Sequence, residues 1–148
     1  MGLFSGSISD EEWIAFAKPL FQAASEPASS LSQAIRDEDL RAQMEGISRI
    51  VREFPSLEGA IKKGRSPTSS IAREAKKSFQ LGLRDYVDGA SQGLKLYRDL
   101  QGGLGERALL DGFAGRAATG RTAFQLSFYT RIVEKAEGRL RSAGSYIA

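Results

Sequence analysis

The spacing of apolar residues is the feature of this sequence that most limits its fold. Over most of the chain, apolar side chains recur every three or four residues, and no strand-like alternation lasts more than a few residues. Helices with one apolar face must bury those faces against one another. The pattern therefore predicts an all-α fold. The aromatic residues at this spacing are predicted to pack in its core: Trp13, Phe16, Phe21, Phe79, Phe113, Phe124 and Phe128.

Two helices are predicted in the first part of the chain. The first covers about residues 9–25, and Pro19 inside it predicts a kink or an early end. The second covers about residues 27–54 and ends at Pro55. Its apolar spacing slips at residues 36–39, which predicts either a continuous helix or a short break there.

Two longer helices are predicted in the second part. Ser66 as N-cap and Pro67 at the first helical position start the third helix, which extends to about Leu100. The glycines of residues 102–105 predict a turn, and the fourth helix follows over about residues 106–141. Since short connections favour antiparallel neighbours, the fold expected is a bundle of about four helices with a long antiparallel hairpin of helices 3 and 4.

A chain of 148 residues is expected to form one domain. We expect residues 1–148 to make a single helical domain with a flexible N-terminus at 1–8 and a basic linker at 62–66. The start of the sequence has no secretory signal and no apolar run long enough to cross a membrane, so a cytoplasmic location is expected.

The absence of two residue types limits the chemistry. The sequence has no cysteine and no histidine. Nucleophile–histidine systems and the usual zinc sites therefore cannot be built from it. We expect a protein that is not an enzyme, with no cofactor, no metal and no small-molecule substrate.

The charge of the chain changes sign near residue 62. Residues 1–61 hold five basic and ten acidic side chains, and residues 62–148 hold sixteen basic and eight acidic ones. Such asymmetry bears on association rather than on fold. The densest basic cluster follows the change of sign, and its helix start offers free backbone N–H groups that suit an anion. It is the predicted anion-binding or partner-binding site: Lys62, Lys63, Arg65, Arg73, Lys76 and Lys77.

These observations favour a helical interaction protein that self-associates or serves as an assembly subunit. The acidic end of one copy would face the basic end of the next, and part of the charge asymmetry could be used inside the molecule, between oppositely charged layers. Two alternatives stay open. The cluster at residues 62–77 and the basic last helix would also suit a nucleic acid, and an anionic membrane would fit the same charge.

Overall fold

The computed structural model describes residues 7–103 and 120–148 and shows an all-α bundle, as predicted. The described helices are α1 (Asp10–Arg36), α2 (Leu40–Lys63), α3 (Ser70–Gly103) and α4 (Gly120–Ile147). Two short strands, β1 (Ser7–Ile8) and β2 (Ser66–Pro67), complete the described elements. The predicted beginning of the fourth helix, residues 106–119, lies outside the described residues.

Helices α3 and α4 form the predicted antiparallel hairpin. Their contacts run in opposite directions along the two helices, from Gly82 against Leu140 to Gly93 against Tyr129. A Cβ on Gly93 would lie 2.7 Å from Tyr129 Cε1. The glycine is therefore what lets the Tyr129 ring lie against the α3 backbone.

The boundaries of the first two helices differ from those predicted. Helix α1 continues through Pro19 and Pro27, and α2 continues through Pro55. A proline inside a helix costs about 3 kcal/mol because its N–H is missing and its ring crowds the preceding turn. Tertiary packing nevertheless keeps α1 helical through Pro19, because the apolar face of α1 is buried on both sides of this proline. The buried apolar residues of this helix are Trp13, Ala17, Ala24, Pro27, Ala28, Leu31 and Ala34.

Of the two alternatives for residues 36–39, the short break is present, but it separates α1 from α2 instead of lying inside the second helix. Glu38 N donates to Ile35 O, and Asp39 N donates to Ala34 O. This pair of bonds closes a helix with a left-handed residue, a position that usually carries glycine. Here Glu38 occupies it, with φ 53°. Asp39 then caps α2 by accepting from Ala42 N at 3.1 Å.

The start of α3 also differs from the prediction. The N-cap is Ser69 rather than Ser66, since Ser69 Oγ accepts from Ala72 N at 3.1 Å. Ser66 and Pro67 instead form β2, which pairs in parallel with Ser7 and Ile8 of β1. Residues 7 and 8, expected in a flexible N-terminus, are therefore held against the α2–α3 connection. Lys62 and Lys63, expected in a linker, belong to the last turn of α2.

One core runs between the four helices, and its largest fully buried side chains include Trp13, Phe54, Phe79 and Tyr86. Two pairs of its buried polar groups are hydrogen-bonded across elements, whereas Trp13 Nε1 has no hydrogen-bond partner among the described residues. Tyr129 Oη donates to Gln43 Oε1 at 3.0 Å, and the Ser32 and Tyr86 hydroxyls lie 2.9 Å apart.

Candidate functional site

The predicted basic cluster lies at one end of the bundle. Lys62 and Lys63 end α2, Arg65 follows in the connection, and Arg73, Lys76 and Lys77 lie in the first two turns of α3. The connection between the helices folds back on itself, and this brings the two groups together. The cluster is therefore a feature of the tertiary structure and not only of the sequence.

Two members of the cluster hold the connection in place. Lys76 Nζ donates to Gly64 O at 2.9 Å and to Ser66 Oγ at 3.2 Å. Arg73 Nη1 donates to Thr68 O at 2.8 Å. Burial lowers the pKa of Lys76. Both side chains thus donate hydrogen bonds to the α2–α3 connection.

The other four members are free to bind a partner. Lys62, Lys63, Arg65 and Lys77 are exposed, and none has a hydrogen bond or ion pair to another described residue. Exposed cations that have no nearby carboxylate add to the positive potential of the surface around them. These four residues, called the free cations below, are the part of the predicted site that the structure leaves available.

The anion position predicted at the start of α3 is occupied by the protein itself. Ser69 N donates to Asp10 Oδ1 at 3.0 Å, so a carboxylate from α1 lies at the positive end of α3. Hydrogen bonds from the side chain and backbone of Ser69 hold the pKa of Asp10 below its usual value of 3.8. An external anion would have to displace this carboxylate, which leaves the free cations as the accessible part of the site.

The charge asymmetry is not cancelled inside the molecule. Among the described residues, two ion pairs join the acidic part of the chain to the basic part. In one pair, Arg84 Nε of the basic part lies 3.5 Å from Glu58 Oε1 of the acidic part. In the other, the acidic part supplies the cation, since Arg36 Nη1 lies 3.1 Å from Glu137 Oε2 of the basic part. The two pairs together neutralise no net charge of either part. Most of the asymmetry therefore faces outward.

The densest acidic run lies at the opposite end of the bundle. Asp37, Glu38 and Asp39 form the exposed α1–α2 turn, and the contact of Ser69 with Asp10 places the basic cluster beside the start of α1. The 27 residues of α1 separate these ends by about 40 Å at 1.5 Å per residue. The basic end is not uniformly basic, because Glu11 and Glu12 are exposed on the first turn of α1.

In its first turns, α4 buries a different face from the one predicted. Phe124 and Phe128, expected in the core, are 71% and 44% exposed, with their rings stacked 6.2 Å apart. The buried face begins instead at Tyr129 and continues through Val133 and Leu140 to Ile147. The side chains of residues 128 and 129 point about 100° apart around the helix, so burying Tyr129 leaves Phe128 at the surface. Tyr129, with its glycine partner on α3, was the signal that the sequence analysis missed.

The exposed side of α4 therefore carries aromatic and basic residues. Phe124, Phe128, Arg131 and Lys135 follow one another at i, i+4, i+7 and i+11, and all four are exposed. That spacing puts them in one line along the helix. We call them the α4 stripe. Arg131 and Lys135 have no ion pair with another described residue.

A groove of about 310 Å³ lies between α1 and α4. Glu137 in its wall lies 3.1 Å from Arg36 and 3.4 Å from Arg141. Burial raises the pKa of the neighbouring Tyr86 to about 12, so its hydroxyl keeps its proton at neutral pH. The groove therefore offers paired charges and a protonated phenol.

Within residues 7–103 and 120–148, no group of three acidic side chains is placed to hold a metal ion. None of the described helices combines the length and apolarity needed to cross a membrane. Comparison with known protein families, with curated proteins and with solved structures finds no match to this chain.

Proposed function

We propose that this chain is a non-enzymatic helical interaction protein that self-associates head to tail. The observation that carries the proposal is the placement of the free cations and the Asp37–Asp39 turn at opposite ends of a bundle about 40 Å long. A contact between unlike ends leaves a free end on each side, so it repeats into rings or filaments.

The electrostatics favour an intermolecular use of these ends. The free cations lack partners, and the two ion pairs that join the acidic and basic parts of the chain cancel each other. Glu38 adds a carboxylate at an exposed turn where its backbone is unfavourable. Attraction between ends of opposite sign steers encounters and weakens as salt screens it. This proposal keeps the cytoplasmic location expected from the sequence.

The test is the mass in solution by light scattering, measured at several protein concentrations and at low and high salt. We expect a mass above the monomer at low salt that falls as salt rises. The variant Lys62→Glu/Lys63→Glu should reduce the low-salt mass, and adding Glu38→Lys should restore part of it by reversing both ends.

A matched control is Lys18→Glu/Lys95→Glu, which changes the net charge equally at two exposed lysines outside the cluster. This control should keep most of the association. A wild-type mass that stays monomeric from low to high salt contradicts the proposal. Equal loss in both double variants assigns the effect to net charge rather than to the ends.

Nucleic acid is the second candidate, favoured by the same free cations. Each phosphate contact adds to the salt dependence of binding. Replacing Lys62, Lys63 and Lys77 with alanine should weaken RNA or DNA binding and lower the slope of log affinity against log salt by about 2–3. Binding that is unchanged in this variant excludes the cluster as a nucleic-acid site.

A further inference from the structure

The α4 stripe is an exposed apolar feature of the described surface that the proposed function leaves unused. Phe124 is the most exposed of the described large apolar side chains at 71%, and its ring stacks on Phe128. Large apolar side chains held together at the surface mark contact sites more often than single ones do. Two cations, Arg131 and Lys135, continue the line of the two aromatic rings along the helix.

The order of residues in the stripe makes it complementary to itself. Reading along α4, the aromatic half comes first and the cationic half second. A second copy lying antiparallel to the first, with a twofold axis between residues 128 and 131, places Arg131 over Phe128 and Lys135 over Phe124. A cation over the face of an aromatic ring is attracted to it, and arginine is used in this way more often than lysine. The same contacts then occur twice, as a twofold interface requires.

The neighbouring helix supplies a carboxylate in the matching position. Gln125 Nε2 lies 3.2 Å from Asp99 Oδ2, so Asp99 of α3 lies beside the aromatic half of the stripe. In the antiparallel arrangement, Lys135 of the second copy approaches this same level. Asp99 is exposed. The surface thus offers Lys135 both a ring and an opposite charge.

From this complementarity we infer that the α4 stripe is a twofold interface between two copies of this chain. The inference rests on the proposed self-association and adds a second contact to it, one that is apolar at its centre and symmetric. The two contacts respond differently to salt. End-to-end attraction is screened at high salt, whereas burial of the phenylalanine rings is not.

The first experiment measures the dimer dissociation constant by sedimentation in about 0.5 M NaCl, where charges are screened beyond a few ångströms. We expect a dimer that Phe124→Ala/Phe128→Ala weakens roughly a hundredfold, since each buried ring contributes about tenfold or more. The control Met44→Ala/Val51→Ala removes two partly exposed apolar side chains from α2 and should leave the constant within about threefold.

The second experiment tests the geometry of the dimer. Because the chain has no cysteine, Ser127→Cys or Ser142→Cys gives a unique thiol for a spin label. The proposed axis separates the paired labels by about 8 Å along the helix at position 127 and by about 38 Å at position 142. A parallel arrangement of the two α4 helices would give similar separations at both positions.

The outcomes separate this inference from the proposed function. A monomer at high salt, or a dimer unchanged in Phe124→Ala/Phe128→Ala, overturns the stripe interface while salt-sensitive association at low salt still supports the end-to-end contact. Equal label distances at positions 127 and 142 overturn the antiparallel arrangement. A labelled pair with the expected difference, lost in the phenylalanine variant, supports it.

Discussion

At the scale of single residues, two carboxylates in the first half of the chain have opposite effects on stability. Glu38 lies in left-handed backbone at φ 53°, where its Cβ is crowded. The carboxylate of Asp10, the first residue of α1, lies at the N-terminus of α3, where backbone and hydroxyl donors of Ser69 stabilise its charge. An acidic residue therefore strains the backbone of one turn, whereas another stabilises the start of a helix.

Replacing Glu38 with glycine should raise the free energy of unfolding by about 0.5–1 kcal/mol, because glycine adopts positive φ without crowding. Urea denaturation measures the change. The control Glu45→Gly, at an exposed position inside α2, should lower stability by about 1 kcal/mol. A loss of stability in Glu38→Gly would contradict the strain assigned to this turn.

Replacing Asp10 with asparagine should lower the melting temperature at pH 7. Since hydrogen bonds from Ser69 depress the pKa of Asp10, its stabilisation is present above its usual value of 3.8 and is lost as pH falls through the lower folded value. The difference between wild type and variant should therefore shrink below about pH 4. Glu11→Gln, one residue away and exposed, is the control; a difference that persists at the lowest pH refutes the charge-based account.

At the scale of elements, packing decides which helix signals count. Pro19, Pro27 and Pro55 are breaking signals, yet all three lie inside helices whose apolar faces are buried. The glycines of α3 act in the reverse way. They weaken a helix in isolation, but at Gly82, Gly89 and Gly93 they admit side chains of α4.

Alanine at Gly93 and at Gly138 should therefore change stability in opposite directions. A Cβ on Gly93 would lie 2.7 Å from the Tyr129 ring and 2.8 Å from Ile47 Cδ1, which should cost about 1–3 kcal/mol. Apart from the backbone of its own helix, no atom of the described residues lies within 4 Å of a Cβ on Gly138, so alanine there should stabilise α4 by about 0.5–1 kcal/mol. Thermal denaturation of both variants decides the matter, and a neutral Gly93→Ala would show that the hairpin is looser than described.

At the scale of the whole molecule, a buried polar contact joins three helices. Gln43 of α2 accepts from Tyr129 of α4 at 3.0 Å and donates to Ala34 O of α1 at 3.4 Å. Both side chains are buried. An unpaired buried polar group is costly, so this contact favours one alignment of the helices over shifted ones.

Gln43→Leu and Tyr129→Phe should each cost about 1–3 kcal/mol, because each leaves the other polar group without its hydrogen bond. The double variant should cost less than the sum by about 1 kcal/mol, as a double-mutant cycle in urea would measure. The exposed pair Gln33 and Asp37, 2.9 Å apart, is the control and should show almost no coupling. Additive costs at Gln43 and Tyr129 would mean that the two side chains act independently.

The amino-acid sequence by itself determined the helical class, the hairpin and the position of the basic cluster along the chain, because these depend on spacing and on neighbouring residues. It placed the break at residues 36–39 among its alternatives for the same reason. It misjudged the end of α1, both ends of α2 and the start of α3, all near proline, where local preference and burial disagree.

Only the tertiary structure decided which side chains in these segments are available. Lys76 and Arg73 hydrogen-bond the α2–α3 connection, and the Asp10 carboxylate occupies the start of α3. Phe124 and Phe128 lie at the surface instead of in the core. The contact of Asp10 with Ser69 and the packing of Tyr129 against Gly93 depend on residues far away in the chain, whereas Lys76 and Arg73 bind the connection 12 and 5 residues before them. The physical reason is that spacing defines a helix and its faces, whereas the partner that covers a face is set by long-range packing.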